Sequence, residues 1–203
     1  NQVRSPITKS VGIQKIKVGH AGTLDPLATG LLIICTGKFT KKIDTFQAQE
    51  KEYTGTFTLG ATTPSYDLET EIDQTFDISK ITSEKIRETS NQFIGEIKQQ
   101  PPVFSALKKD GKRLYEFARS GEEVEIPLRK VIISEFEITK IELPKVAFRV
   151  VCSKGTYIRS LANDFGKALK NGAHLSALRR TKIGDFTVEN AMGVEEFETS
   201  LPS

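Results

Sequence analysis

The sequence contains few residues of the kinds that bind metals or form disulfides, and it has no long apolar stretch. Only two histidines and two cysteines occur among 203 residues. This argues against a zinc or di-metal hydrolase, whose sites draw many ligands from these residue types. Cys35 and Cys152 each lie in an apolar run without CxxC spacing, so we predict buried, reduced thiols and no disulfide or redox pair. The longest apolar run, residues 31–35, is far too short to span a membrane.

The composition is that of a globular domain. Hydrophobic residues make up 37% of the chain and charged residues 27%, which excludes the disordered and membrane classes. The net charge of +3 permits a nucleic-acid partner but does not establish one. No internal repeat and no low-complexity tract is present.

Several segments have the apolar pattern of β-strands. The run LLIICTG at 31–37 predicts a buried central strand, and KEYTGTFTL at 51–59 alternates as a half-buried antiparallel strand does. Two further alternating strands are predicted at 132–138 and 146–152. Pro144 lies in the connection between them, where a residue that cannot donate to a ladder is tolerated.

Other segments have helical periodicity. A short amphipathic helix is predicted at 39–47, and a helix capped by Thr82 or Ser83 is predicted to run to about Phe93. Apolar residues recur at helical spacing over 157–169, and a short acidic helix is predicted near 194–198. Strands and helices do not alternate as βαβ units. We therefore expect an α+β fold, with a mixed, mostly antiparallel sheet flanked by helices.

The segment 99–128 differs from the rest, with prolines near both ends, mixed charge and a weak apolar stripe. It is predicted to be an inserted arm that does not build the main sheet. Its basic residues favour contact with phosphates, whereas its glutamates make a solvated charged helix the alternative.

The loop GHAGTLDPLATG at 19–30 is the first candidate for chemistry. Its three glycines permit close backbone approach or positive φ, and Pro26 stiffens the chain just after Asp25. An acid in a rigid loop is well placed for function. Alternatively, Asp25 is a turn-forming residue that hydrogen-bonds its own backbone. The glycine patterns of phosphate-binding loops are absent.

The same segment, extended through LLIICTG, resembles the signature of the tRNA pseudouridine synthase B family. Four further segments of that family follow in the expected order and bring the resemblance to about residues 18–182: KEYTGTFTLG with a later DLET, PPVFSALKKDGKRLYEFARSGEEVE, CSKGTYIRSLANDFG and GAHLSALRR. One short motif would be weak evidence, but five in the right order are specific. The resemblance implies the pseudouridine synthase catalytic fold, with the arm as an RNA-clasping insertion.

The resemblance also implies the catalytic residues. Asp25 matches the family's catalytic aspartate, which attacks or deprotonates the ribose at C1′ so that uracil detaches, turns and rejoins through C5. Tyr53 matches an aromatic residue that stacks on the target base, although its strand position also fits a core tyrosine. Arg159 matches an arginine that pairs with the catalytic carboxylate. The alternative is a solvated arginine, in the first helical turn, where a cation is mildly unfavourable.

The implied substrate-binding residues lie in four of these segments. Tyr157 and Leu178 match positions that line the uracil pocket, although Leu178 fits the core nearly as well. His20 matches a histidine that contacts substrate, and a lone histidine is otherwise usually structural. Lys108 in the arm and Arg179 in a second basic cluster would contact RNA, which would make binding salt-dependent. The cluster is formed by Arg179, Arg180 and Lys182.

The implied activity is that of an isomerase that converts uridine-55 of the tRNA T-loop to pseudouridine. T-loop bases are extruded more cheaply than bases in a duplex. We expect the T-arm of tRNA as partner, no metal and no other cofactor, no membrane, no obligatory protein partner, a monomer and a cytoplasmic location. The alternatives are a guide-RNA-dependent relative and a tRNA-binding or tRNA-folding module without turnover. Asp25, Tyr53 and Arg159 together argue against a pure binding module.

The chain departs from the family pattern at both ends. Family members usually begin with a strand and a Lys-Pro motif, which do not occur here, so residues 1–203 are interpreted as a catalytic domain without that strand. A C-terminal RNA-binding PUA domain, which many relatives carry, is also not expected. This absence argues against the guide-RNA branch, which uses the domain to hold its guide.

Overall fold

The structure, a computed structural model, describes residues 16–105, 108–109, 112–114, 116–117 and 125–201. Thirteen short or long strands are formed by these residues: β1 (Val18–His20), β2 (Thr29–Gly30), β3 (Ile34–Thr36), β4 (Lys51–Leu59), β5 (Ala61–Thr62), β6 (Gln74–Thr75), β7 (Gly95–Gln99), β8 (Lys108–Lys109), β9 (Lys112–Arg113), β10 (Arg129–Glu142), β11 (Lys145–Cys152), β12 (Ala173–Ile183) and β13 (Phe186–Thr187). The α-helices are α1 (Ile43–Ala48), α2 (Ser83–Asn91), α3 (Ile158–Ala168) and α4 (Val194–Ser200). Two 3-10 helices lie at Gly37–Lys42 and Val188–Asn190.

A seven-stranded sheet forms the frame of the molecule. Its strand order is β13-β12-β4-β11-β10-β7, and β2 pairs with β12 outside this path. All pairs are antiparallel except β2 with β12, where Thr29 and Gly30 lie opposite Arg179 and Arg180 in parallel register. The predicted α+β fold with a mixed, mostly antiparallel sheet is confirmed.

The predicted strands at 51–59, 132–138 and 146–152 are confirmed as β4, β10 and β11. The 51–59 strand has the alternation expected of a half-buried strand, with Phe57 and Leu59 buried. Pro144 lies in the tight connection between β10 and β11, after a cis peptide bond. The connection therefore uses proline where no ladder donor is required.

An aromatic cluster fills the space between the sheet and the helices. Phe57 stacks on Phe148 with ring centroids 4.2 Å apart, and Phe136, Phe165 and Phe93 contact this pair or each other through tilted and edge-to-face geometries. Such pairs add about 0.5–1.5 kcal/mol each beyond the burial of apolar area. The cluster fixes the helices against the sheet face that carries the candidate site.

The two longer helices begin and end close to their predicted bounds. The Thr82 side chain accepts a hydrogen bond from the Lys85 amide at 3.2 Å, which satisfies one free donor at the start of α2. α3 starts directly after Tyr157 and buries an apolar stripe that includes Leu161 and Phe165. The shorter predicted helices at 39–47 and 194–198 are also present, the first as a 3-10 helix followed by α1.

The prediction of a central strand at 31–37 is wrong. Residues 31–33 have no regular secondary structure, and β3 pairs only with β1 in a separate two-stranded sheet. Leu31 is buried, but Leu32 and Ile34 are each 37% exposed. β4 and β11 occupy the middle of the main sheet. An apolar run by itself does not distinguish a central strand from a segment that packs beside the sheet.

The predictions for the cysteines are confirmed: Cys35 and Cys152 are both free and buried. Burial raises the pKa of the Cys152 thiol to about 11, so this thiol is a poor nucleophile at neutral pH. Within the described part of the chain, no helix is both long and apolar enough to cross a membrane.

The predicted arm at 99–128 falls partly outside the described residues. Within its described part, β8 and β9 pair with each other as a hairpin separate from the main sheet, whereas Gln99 belongs to β7 of that sheet. The side chains of Lys108, Lys109, Lys112 and Arg113, together with Tyr115 and Arg119, lie outside what is described. The RNA-clasping role of the arm stays a prediction.

Replacing Gly166 by alanine tests the contact between α3 and β12. A Cβ at Gly166 would lie 2.4 Å from the amide nitrogen and 2.8 Å from the Cβ of Ala173. Alanine is preferred over glycine in helices by about 1 kcal/mol, but overpacking costs about 1–3 kcal/mol. We therefore expect Gly166→Ala to lower the free energy of unfolding in urea by about 1–2 kcal/mol. The exposed Lys167→Ala, one residue later, should leave it nearly unchanged, and a stabilised Gly166→Ala would contradict the close packing.

Candidate active site

The loop between β1 and β2 carries Asp25. The Ala28 amide donates to the Asp25 carbonyl at 2.9 Å, so Asp25-Pro26-Leu27-Ala28 forms a β-turn with proline at its favoured second position. The turn uses the backbone of Asp25 and leaves its carboxylate available. That side chain is 33% exposed.

Arg159 binds the Asp25 carboxylate through two parallel hydrogen bonds. Nε donates to Oδ2 at 3.0 Å and Nη2 donates to Oδ1 at 2.8 Å. The third arm of the guanidinium, Nη1, donates to the Phe104 carbonyl at 2.9 Å. The Arg159 side chain is 4% exposed, so the solvated alternative does not apply. Bidentate geometry of this kind fixes both the position and the plane of a carboxylate.

A second carboxylate, which the sequence analysis did not single out, also approaches Arg159. Asp67 Oδ2 lies 3.6 Å from Arg159 Nε, and the Asp67 side chain is 5% exposed. Its Oδ1 accepts from the Ser65 hydroxyl at 2.6 Å and from the Glu69 amide at 2.9 Å. The loop that contains DLET therefore holds a buried negative charge against the buried guanidinium. The position of Asp67 inside the DLET motif is the sequence feature from which its place in the site could have been predicted.

Tyr53 lies on β4 beside this ion pair. It is opposite Val150 of β11 and Arg180 of β12 and packs partly against the hydrophobic core. Burial raises the pKa of Tyr53 to about 12. At neutral pH its hydroxyl is therefore protonated and neutral, which leaves the ring suited to stacking and the hydroxyl unsuited to act as a base.

Asp25, Tyr53, Tyr157, Arg159 and Leu178 all line one cleft of about 650 Å³. These sequence-predicted residues come from four distant segments of the chain: the 19–30 loop, β4, the start of α3 and β12. Burial raises the pKa of the Tyr157 hydroxyl as well. Further basic residues also line this cleft: Arg180, which the sequence places in a basic cluster, and the unassigned Lys51, Arg129, Lys130 and Lys154. The cleft thus combines one paired carboxylate, two aromatic rings and a positively charged wall.

Of the remaining sequence-predicted residues, His20 and Arg179 are described and do not line the cleft. His20 is exposed at the end of β1, and Arg179 is exposed on β12. Lys108 lies in the β8–β9 hairpin, and its side chain is not described. Arg180, which the sequence places in one basic cluster with Arg179 and Lys182, is instead buried at 2% exposure. Arg179 and Arg180 are separated because successive residues of a strand point to opposite faces. A register shift after Arg180 places Lys182 opposite Glu52, so that Lys182 is exposed like Arg179.

Comparison with known proteins assigns this chain to a family. Residues 9–158 match the model of the TruB family pseudouridylate synthase N-terminal domain, and residues 159–202 match that of the tRNA pseudouridylate synthase B C-terminal domain. The chain belongs to the TruB family of pseudouridylate synthases. The two matched regions meet beside Arg159, at the start of α3.

Curated members of the TruB family are similar over nearly the whole chain. The tRNA pseudouridine synthase B of Flavobacterium johnsoniae is 66% identical over 202 residues, which cover 99% of this chain and 88% of that protein. The protein of the same name from Phocaeicola vulgatus is 57% identical, over 97% of this chain and 84% of its own length. These relatives are therefore comparable with the chain along most of its fold.

Solved structures with this fold include larger proteins that work with partners. A chain of a Cbf5-Nop10-Gar1 complex aligns with a TM-score of 0.66 at 32% identity, over 91% of this chain and 45% of its own length. A chain of an H/ACA RNP bound to a substrate RNA containing 2′-deoxyuridine aligns with a TM-score of 0.68 at 28% identity, over 98% and 48%. The chain spans less than half the length of these structural neighbours.

The raised pKa of Tyr53 gives a test of its burial. Since its pKa lies near 12 in the folded protein and near 10 ordinarily, burial contributes stability that is fully present below about pH 10 and lost as the pH rises through about 12. We expect the free energy of unfolding of wild type to fall more steeply from pH 9 to pH 11 than that of Tyr53→Phe. The other tyrosines and Cys152 titrate in both proteins. Equal slopes for the two would show that the Tyr53 hydroxyl is solvated.

Proposed function

We propose that this TruB-family chain is a tRNA pseudouridine synthase, that it isomerises a T-loop uridine, uridine-55, and that Asp25 is its essential carboxylate. One observation carries the proposal. The Asp25 carboxylate is held by a buried arginine in a cleft lined by two tyrosines, in a chain 66% identical to a curated tRNA pseudouridine synthase B. The arrangement matches the chemistry that the family requires.

The reaction requires no second reactant. The glycosidic bond between N1 of uracil and C1′ of ribose breaks, the detached base turns, and a bond forms between C5 and C1′; the proton lost from C5 balances the proton gained at N1. Asp25 acts on the ribose, as nucleophile or as base. The two hydrogen bonds from Arg159 orient the Asp25 carboxylate and leave its other side open to the ribose. No metal and no other cofactor is part of the proposed reaction.

The other groups of the cleft bind and orient the nucleotide. Tyr53 offers its ring for stacking on the extruded base, since base–aromatic stacking contributes about 1–3 kcal/mol per base. Tyr157 and Leu178 form the remaining apolar wall of the base pocket. Lys154 and Arg129 supply positive charge for the flanking phosphates. His20, Arg179 and Lys108 would contact RNA outside the cleft.

We also propose that the chain acts on tRNA as a monomer, in the cytoplasm, without guide RNA or an obligatory protein partner. The high identity to bacterial tRNA pseudouridine synthase B proteins supports this over a guide-directed role. The Cbf5-type neighbours, at 28–32% identity, are less similar to this chain.

Incubation of the purified protein with unmodified tRNA tests the proposal. Wild type alone should convert the T-loop uridine, and mapping of pseudouridine should find no product in a tRNA with cytidine at that position. Asp25→Asn keeps the size of the side chain but removes its charge, and should lower the single-turnover rate by at least about 10²–10⁴-fold. The exposed Asp185→Asn is the matched control and should be as active as wild type.

Each alternative has its own outcome in this experiment. Binding of tRNA without any pseudouridine would favour a folding or binding module. Product only after addition of a guide RNA or partner protein would favour the guide-dependent function. Full activity of Asp25→Asn would remove the catalytic assignment while leaving the enzyme class intact.

Arg159→Lys tests the geometry of the ion pair. Lysine preserves the charge but cannot donate two parallel hydrogen bonds to Asp25 and a third to Phe104. We expect the single-turnover rate to fall by about 10²-fold while the Kd for tRNA changes little. The measurement is a pair of single-turnover and filter-binding assays, with urea unfolding to verify the fold. Near-normal turnover would show that charge alone suffices.

A further inference from the structure

Arg180 is the largest side chain among those that the structure buries almost completely. It lies on β12, beside Leu178, and lines the candidate active-site cleft. The sequence gives it no role other than membership of a basic cluster. A buried arginine is costly unless its five donors and its charge are compensated.

The guanidinium of Arg180 binds the backbone of the Asp25 loop at three points. Nε donates to the Leu31 carbonyl at 2.8 Å, Nη1 to the Thr23 carbonyl at 3.3 Å and Nη2 to the Gly22 carbonyl at 3.2 Å. Two of these carbonyls precede Asp25 and one follows it. The side chain therefore spans the loop and ties both of its ends to β12.

The backbone of Arg180 holds the same loop. The Leu31 amide donates to the Arg180 carbonyl at 2.8 Å, and Gly30 pairs with Arg180 in the parallel β2–β12 ladder. A Cβ at Gly30, whose φ is +102°, would lie 2.2 Å from that carbonyl oxygen. Glycine is required here, because any side chain would push the loop away from Arg180.

No carboxylate of the described residues forms an ion pair with Arg180. The carbonyl oxygens of Gly22, Thr23 and Leu31 accept from its guanidinium instead. Because three of its N–H groups donate to loop carbonyls and only 2% of its surface is exposed, Arg180 is not available to bind an RNA phosphate. This separates it from its exposed neighbour Arg179.

We propose that Arg180 is a positioning residue that sets the Asp25 loop and the Tyr53 ring in one fixed relation. Its guanidinium binds the loop carbonyls, and its backbone lies opposite Tyr53 in the pairing of β12 with β4. The attacking carboxylate and the stacking ring thereby keep the spacing that the target uridine requires. The proposal rests on the proposed function, since it assigns Arg180 a part in that reaction without contact with the substrate.

The test compares Arg180→Lys and Arg180→Met with Arg149→Met as matched control. Arg149 pairs with Glu52 and Glu135, which lie on the sheet face opposite Tyr53, so its loss perturbs the sheet but not the loop. For each variant we would measure the single-turnover rate of pseudouridine formation, the Kd for tRNA and urea unfolding. Both Arg180 variants should lose about 10²-fold in rate, because small misplacements of reacting groups have effects of that size, while the Kd stays near that of wild type.

The two Arg180 variants separate geometry from charge. Lysine keeps the charge but cannot reach three carbonyls at once, so it should not restore the rate. Arg149→Met should keep the wild-type rate even where it lowers stability.

Three results would overturn the proposal. A wild-type rate in either folded Arg180 variant would show that the Asp25 loop keeps its conformation without the Arg180 side chain. A parallel loss of rate and affinity would place Arg180 at the RNA surface. If both Arg180 variants were unfolded where Arg149→Met is folded, Arg180 would be a general stability determinant and not a positioning residue. Failure of wild type to form pseudouridine would instead contradict the proposed function, and the two failures are distinguishable.

Discussion

Arg159 carries its charge in a place that water scarcely reaches, and this constraint organises the site around it. A buried guanidinium without partners would be strongly destabilising. Asp25 supplies two acceptors and Phe104 supplies one, while Asp67 adds a second negative charge at 3.6 Å. These residues lie on three separate segments of the chain. All three segments must therefore reach the start of α3 to provide partners for the Arg159 guanidinium. In this way the buried charge helps to assemble the cleft.

Strand β12 provides the second fixed frame. It pairs along most of its length with β4, which carries Tyr53, and in parallel with β2, which ends the Asp25 loop. Arg180 bonds the loop from this strand, and Leu178 contributes to the wall of the cleft. The sheet thus sets the distance between the carboxylate and the aromatic ring, whereas Arg159 sets the orientation of the carboxylate. Rigid elements hold both groups, as a preorganised site requires.

The local apolar pattern correctly predicted those strands and helices that bury only one face. The alternation at 51–59 and the helical stripe at 157–169 correspond directly to β4 and α3, because each packs one side on the same aromatic cluster. The run at 31–37 was misassigned because apolar content does not reveal the partner of a strand. Leu31 is buried beside β12, where its backbone amide donates a hydrogen bond to the Arg180 carbonyl, whereas Leu32 points outward. That arrangement depends on residues 149 positions away.

The site was predictable to the extent that a family resemblance could place it. Asp25, Tyr53 and Arg159 were named from matching motifs, whereas their own local patterns left a turn residue, a core tyrosine and a solvated arginine open. Asp67 was not named, and Arg180 was named only as a member of a basic cluster. Their roles depend on contacts between distant segments, which a local sequence pattern does not reveal. From the sequence alone, an acidic loop or a basic cluster predicts exposed charge.

The beginning of the arm belongs to the same scaffold as the site. Gln99 accepts from the Tyr157 amide at 2.8 Å and donates to its carbonyl at 3.0 Å, and the Ser160 hydroxyl donates to the Gln100 carbonyl at 2.7 Å. With the bond from Arg159 to Phe104, the first turn of α3 is joined to residues 99–104 at four points. Because Arg159 also holds Asp25, displacement of this backbone would break bonds at the residue that orients the carboxylate. The arm and the candidate catalytic aspartate thus depend on one buried arginine.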